Sequence, residues 1–177
     1  MDYSQTSGHS WSARGKNVAE ETKPAVPRAP LRFERVRVDE KGRVKLPVDF
    51  ADFIRGFGQE EVFICRLQAD RAIRLYPGAV HAENLLFMEE RTEATLRHSM
   101  WLLLAKHGGT SKLDPEGRVV LPHSLRTALE LTGRYLTITP QEHRLDLFTD
   151  DDLTVVMQAA EEFAAPAIPR MINRGWK

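Results

Sequence analysis

The stretch Val38-Asp39-Glu40-Lys41-Gly42-Arg43-Val44-Lys45-Leu46-Pro47 recurs 75 residues later as Leu113-Asp114-Pro115-Glu116-Gly117-Arg118-Val119-Val120-Leu121-Pro122. Asp, Gly, Arg, Val, Leu and Pro hold identical places in both, and each copy begins with an aliphatic residue. Self-similarity of this kind marks a repeated supersecondary unit. It continues downstream, where Leu75 of Ala72-Ile73-Arg74-Leu75-Tyr76 matches Leu147 of His143-Arg144-Leu145-Asp146-Leu147-Phe148 at an offset of 72 residues. One small loop deletion accounts for the three-residue slip.

Both copies read as the same series of elements. A strand leads into Asp-x-x-Gly-Arg, a second strand runs to the proline, and a short helix follows over 48–56 and 123–131. Pro47 and Pro122 suit a helix start, where a missing N–H leaves no bond unmade. Two strands come next, over 61–66 and 71–76 in the first copy and over 135–139 and 144–148 in the second. A longer helix closes each copy, over 80–104 with a break allowed, and over 150–163. Thr149 followed by three aspartates satisfies the exposed N–H groups of that last helix, so the acidic run needs no ligand. His107-Gly108-Gly109 reads as a helix stop. The fold class predicted is α+β, mainly β with short helices.

The spacing inside the repeat defines a hairpin. Glu40-Lys41-Gly42 is a three-residue loop with Gly42 where the backbone needs positive φ, and Pro115-Glu116-Gly117 is the same loop. Asp39 and Asp114 are expected to accept hydrogen bonds from loop N–H groups or to pair with Arg43 and Arg118, a positioning role. Strand alternation places Val36, Val38, Val44 and Leu46 on a core face and Arg35, Arg37, Arg43 and Lys45 on the other, with Lys41 at the tip. Five cations around one hairpin invite an anionic partner, and a two-stranded ribbon fits the DNA major groove. A solvated edge hairpin guarded by cations is the plainer alternative. The second copy offers fewer cations outward, with Thr110, Lys112, Arg118 and Val120 at the matching positions and Lys106 and Arg126 as candidate additions to its patch.

The net charge is zero over 177 residues, with 42% hydrophobic and 28% charged residues, as in an ordinary globular protein. The charge is segregated. Residues 31–47 hold six Lys/Arg against three acids, and residues 127–163 hold two against eight. The longest apolar run, Met100-Trp101-Leu102-Leu103-Leu104-Ala105, is too short to span a bilayer, and the first thirty residues lack the apolar core of a signal peptide. A cytosolic location is expected. Cys65 is the single cysteine, so an internal disulfide or Cys-based zinc site is excluded; it reads as a buried thiol. The six histidines lack metal-ligand spacing, no nucleophile elbow or phosphate loop appears, and no cofactor or enzymatic activity is expected. The run 100–104 reads as core or as a subunit interface. The expected domains are an arm over 1–31 that is disordered or loosely ordered, repeats over 32–105 and 106–165, and a basic tail over 166–177.

At the paired Asp-x-x-x-Arg motifs, each followed by aliphatic-x-aliphatic-Pro and a helix, and at Leu75-Tyr76-Pro77, the sequence resembles the MraZ family within the wider AbrB-like swapped-hairpin group. The resemblance spans residues 32–163. It implies a tandem swapped-hairpin β-barrel in which the two halves pair as a pseudo-dimer, and a ring-shaped homo-oligomer. It also implies a nucleoid-associated regulator, usually a repressor, that binds direct repeats of double-stranded DNA in the promoter of a division and cell-wall gene cluster. The motif arginines that contact DNA in the family map onto Arg43 and Arg118, and Lys41 fits the pattern; Arg37, Lys45, Arg35 and Lys112 complete the candidate contacts, with Asp39, Gly42, Asp114 and Gly117 supporting the loops. The chain departs from the family in its long N-terminal arm, in Glu116 where the first loop has Lys41, and in a first helix lacking the arginine that the second carries at Arg126. An antitoxin- or sporulation-type relative, and a ring-forming scaffold that has lost DNA binding, are the alternatives.

Overall fold

The computed structural model describes residues 27–67 and 71–177, so most of the arm assigned to 1–31 lies outside the described residues. The chain runs β1 (Glu34–Arg37), β2 (Arg43–Lys45), α1 (Val48–Arg55), β3 (Glu61–Arg66), β4 (Ile73–Pro77), α2 (Gly78–Arg91) and α3 (Ala94–His107). The series then repeats as β5 (Gly109–Lys112), β6 (Arg118–Val120), α4 (His123–Ala128), β7 (Tyr135–Gln141), β8 (Arg144–Phe148), α5 (Asp150–Ala164) and α6 (Ile168–Asn173). Among the described residues the result is a mixed α+β fold with six helices and an antiparallel sheet.

The expectation of a mainly β chain is corrected. More of the described residues lie in helices than in strands, because α2, α3 and α5 run 14 to 15 residues while no strand among the described residues exceeds seven. The closing segment of the first copy is a helical pair. Thr92 and Glu93 are extended, and the Glu93 carboxylate accepts a 2.6 Å bond from the Leu96 N–H, starting α3 afresh. Helix α6 occupies the segment read as a basic tail.

Six strands form one open antiparallel sheet in the order β1-β7-β8-β4-β3-β5, and β2 and β6 form a separate two-stranded ribbon. The first strand of each copy pairs with the third strand of the other. Val36 lies opposite Leu136 and Val62 opposite Ser111. Among the described residues the strands do not close into a barrel. At the loops after β1 and β5 the chain leaves the sheet, and β2 and β6 then pair with each other; just beyond β1 the chain meets β2 at the Val38↔Val44 bridge. The outer edges β1 and β5 are therefore left unjoined.

The alternation read from the sequence sets the core. Val36, Val38, Val44 and Leu46 are buried together with Leu113, Val119 and Leu121 of the second copy, and Phe50 and Ile54 of α1 and Leu125 of α4 join them. Each such side chain contributes roughly 1.5–3 kcal/mol on burial. Cys65 is buried on β3, and burial pushes its thiol up to about 11, which leaves it protonated and inert at neutral pH. Asp152, in the first turn of α5, is buried between Arg66 at 2.9 Å and Arg71 at 3.2 Å, so one acid of the Asp150–Asp152 run is structural. No helix among the described residues is long and apolar enough to cross a membrane.

Candidate nucleic-acid interface

The two Asp-x-x-Gly-Arg loops are near copies in atomic detail. Gly42 has φ of 75° and Gly117 of 77°, a region that side chains with a Cβ enter only with strain. The Gly42 N–H donates to the Asp39 carbonyl and the Gly117 N–H to the Asp114 carbonyl, each at 2.9 Å. Oδ1 of Asp39 accepts from the backbone N–H of Lys41 and of Arg43, while its Oδ2 accepts from Arg43 Nε at 2.7 Å. Asp114 accepts in the same way from the N–H and Nε of Arg118, at 2.8 and 2.7 Å. Both roles proposed for the aspartates, loop acceptor and partner of the arginine, are thus combined in one side chain.

These bonds shift the titration of the groups. The backbone N–H and the guanidinium of Arg43 hold the Asp39 carboxyl below the ordinary carboxylate range. At Asp114 partial burial pushes the other way and is outweighed by the same two donors of Arg118, so it too is depressed. Asp114, with Glu116 beside it, raises the Arg118 guanidinium. Each carboxylate is charged at neutral pH and fixes its arginine through Nε, so the terminal nitrogens are left for other partners.

The ribbon joins the two hairpins into one surface. Val44 lies opposite Val119 and both are buried. The flanking pairs, Arg43 with Val120 and Lys45 with Arg118, therefore share the outward face, since directly opposed residues project from the same side. Three cations thus stand on a patch two strands wide. Arg37, Lys41 and Arg43 also line an open concavity of about 380 Å³ with Asp39 and Glu40.

Two of the predicted contacts stand apart from this group. Arg35, on β1, pairs with Asp150 at 3.0 Å and lies over the Tyr135 ring at 5.2 Å. Lys112, on the edge strand β5, lies opposite Glu61 of β3. Two further arginines reach the loops: Arg126, which the sequence offers as an addition to the second copy's patch, and Arg55, which it does not single out. Arg126 of α4 lies against Gly42 of the first loop, and its Nε donates to the Leu121 carbonyl at 3.0 Å. Arg55 of α1 donates to the Asp114 and Pro115 carbonyls at 3.1 and 3.2 Å, bracing the second loop. The signal for both lay in the repeat. A helix that follows one hairpin packs on the other hairpin's loop, which a reading of each copy by itself does not reveal.

The loops differ in their free charge. Among the described residues the terminal guanidinium nitrogens of Arg43 meet no acceptor, whereas Nη2 of Arg118 donates to Glu116 at 2.9 Å.

No model of a known protein family matches the chain. It is 31% identical over 126 residues to the transcriptional regulator MraZ of Koribacter versatilis (strain Ellin345), a match covering 60% of this chain and 79% of that protein. It is also 31% identical over 94 residues to the transcriptional regulator MraZ of Saccharophagus degradans, covering 51% of this chain and 63% of that protein. With nearly four-fifths of a relative's length aligned, the chain belongs to the MraZ family.

Proposed function

We propose that the protein is a DNA-binding transcriptional regulator, not an enzyme, and that it reads duplex DNA with the basic face of the β2–β6 ribbon. One observation carries this reading: Arg43, Lys45 and Arg118 share the outward face of a ribbon whose inner face is core, with Lys41 and Arg37 beside them. A ribbon of this width enters a major groove, where arginine and lysine meet base edges and phosphates. The zero net charge is no obstacle, because a local patch decides nucleic-acid binding, and residues 127–163 alone hold eight acids against two Lys/Arg. Membership of a family whose relatives are named transcriptional regulators supports the same reading.

The finer picture follows from it. The two halves, 32–105 and 106–165, act as tandem swapped-hairpin units, a description supported by the exchange of β1 onto β7 and β5 onto β3. The chain works in the cytoplasm at the nucleoid as a repressor on promoter direct repeats, and it does so as a ring-shaped homo-oligomer. Support for assembly comes from α3, none of whose residues is buried although it carries Trp101, Leu102 and Leu103; Leu86 and Phe87 of α2 are exposed beside it. Clustered exposed apolar side chains of this kind are a mark of protein–protein contact. The same patch is what a ring-forming protein-interaction module without DNA binding would need, so that reading is the second one.

The experiment is titration of the purified protein with DNA from upstream of its own gene and with a scrambled duplex, from about 50 to 200 mM salt, with light scattering for mass. Preference for the upstream DNA, an affinity falling by orders of magnitude across that range, and a mass several times 20.2 kDa are expected. Equal, weak and salt-insensitive binding to both duplexes at the oligomeric mass would leave the interaction module.

A further inference from the structure

The 75-residue repeat makes Arg126 of α4 and Ala51 of α1 equivalent positions, and each sits over the loop of the opposite copy. The consequences are unlike. Ala51 places a methyl 3.4 Å from where a Cβ of Gly117 would be, so the second loop is covered by an uncharged side chain. Arg126 instead lays its Cδ, Nε and Cζ across Gly42, in space that any Cβ there would occupy. The backbone of Leu121 locks this arrangement from both sides: its N–H donates to the Gly42 carbonyl at 2.9 Å and its carbonyl accepts Arg126 Nε.

The guanidinium is therefore held at the first loop, between the backbones of Lys41 and Arg43, and its terminal nitrogens meet no acceptor among the described residues. It borders an open concavity of about 450 Å³ with His123, Thr127, Glu130 and Thr132. The one acid there, Glu130, faces Arg134 at 3.5 Å. Arg55, which reaches the second loop, is occupied by Asp52 and by two loop carbonyls. The first loop thus has a third, uncommitted cation, donated by the other repeat, while the second has none.

We infer that Arg126 is a phosphate-binding residue at the first loop, adding a contact to the DNA backbone beside those of Lys41 and Arg43. The inference rests on the DNA-binding reading above. A phosphate is the fitting ligand because Arg126 opens onto a concavity formed with α4 and the residues after it, separate from the one that Arg37, Lys41 and Arg43 line at the ribbon. Its Nε is already bonded, so the planar fork presents only its two outer nitrogens, a geometry suited to two oxygens of one tetrahedral anion. The loop is then complete only when both repeats are folded together.

Two variants test this on the full-length protein. Arg126→Ala carries the residue that the twin position already holds, and Arg126→Lys keeps the charge but loses the bond to Leu121; thermal melting checks that both fold. Binding is measured to upstream and scrambled duplexes across the salt series. Arg126→Ala is expected to weaken binding to both duplexes by a similar factor, roughly tenfold, and to make the slope of log affinity against log salt shallower by about one for each engaged protomer. Arg126→Lys is expected to retain most of the slope. Wild-type binding with a steep slope that Arg126→Ala leaves unchanged overturns the inference and leaves the DNA reading standing. A loss confined to the upstream duplex overturns it also, since that would make Arg126 a base reader. Absence of salt-dependent binding by the wild type removes the DNA reading and this inference with it.

Discussion

The two hairpin loops share a backbone and differ in what surrounds it. Gly42 and Gly117 have φ angles within 2° of each other, and Asp39 and Asp114 grip their arginines at the same 2.7 Å. Around the first loop stand Lys41, Arg126 and an Arg43 with free terminal nitrogens. Around the second stand Glu116, Ala51 and an Arg118 bridged to that glutamate. Two equivalent scaffolds result, and a few side chains give the first loop two guanidiniums whose terminal nitrogens meet no acceptor among the described residues, Arg43 and Arg126, while Arg118 and Arg55 at the second are both bridged. Backbone geometry therefore indicates only that a loop can present an arginine; the residues across the repeat decide whether that arginine is available.

The largest effect should come from the motif arginines themselves. Arg43→Ala removes a cation fixed at Nε with its outer nitrogens open, and is expected to lower affinity for the upstream duplex by roughly 1–3 kcal/mol per protomer, about tenfold to a hundredfold. Arg118→Ala removes a cation already bridged by Glu116 and should cost clearly less. Equal losses in parallel salt titrations would mean that the second hairpin engages DNA as fully as the first, and the contrast between loops would not extend to function.

Folding stability offers the next break in the symmetry. Gly117→Ala forces a Cβ into a left-handed backbone, but the nearest atoms stand at an ordinary 3.4 Å, so a loss of about 1 kcal/mol is expected. Gly42→Ala bears the same backbone cost and must also displace Arg126 from its bond to Leu121, so roughly twice that loss should appear in denaturant melts. Similar midpoints for the two variants would show that Arg126 moves aside freely, and would weaken the view that it is held in place.

Much of this was legible in the sequence, for identifiable reasons. The repeat and strand alternation place Val36, Val38, Val44 and Leu46 in the core, and the strands 61–66 and 144–148 match β3 and β8, because alternation and short apolar runs are local signals. The hairpin loops followed from Gly42 and Gly117, whose role is set by φ alone. What escaped was long-range. The ribbon pairs Lys45 with Arg118 across 73 residues of chain, and Arg126 reaches Gly42 across 84. Neither partner lies near the other in sequence. Arg35 alternates outward as read, yet Asp150, 115 residues away, takes it as an ion-pair partner. The break within 80–104 was allowed for, but α6 had no periodicity strong enough to announce it.

The smallest effect is the one that most sharpens the contrast between loops. Glu116→Gln keeps the shape of the side chain and removes its charge, so the bridge to Arg118 Nη2 loses its ionic part while the Asp114 bond at Nε persists. Both partners are substantially exposed, the glutamate at 59%, and surface pairs of this kind contribute about 0–1 kcal/mol. Stability should therefore hardly move. Binding should respond more, because a carboxylate repels the phosphate that the freed guanidinium would meet. A gain of a few-fold on both duplexes, with a slightly steeper salt slope, is expected. The gain must vanish when Arg118→Ala is combined with Glu116→Gln, since it acts through that arginine. If Glu116→Gln binds no better than wild type although Arg43→Ala binds far worse, the asymmetry arises around the first loop, from Lys41 and Arg126, and the glutamate is a bystander.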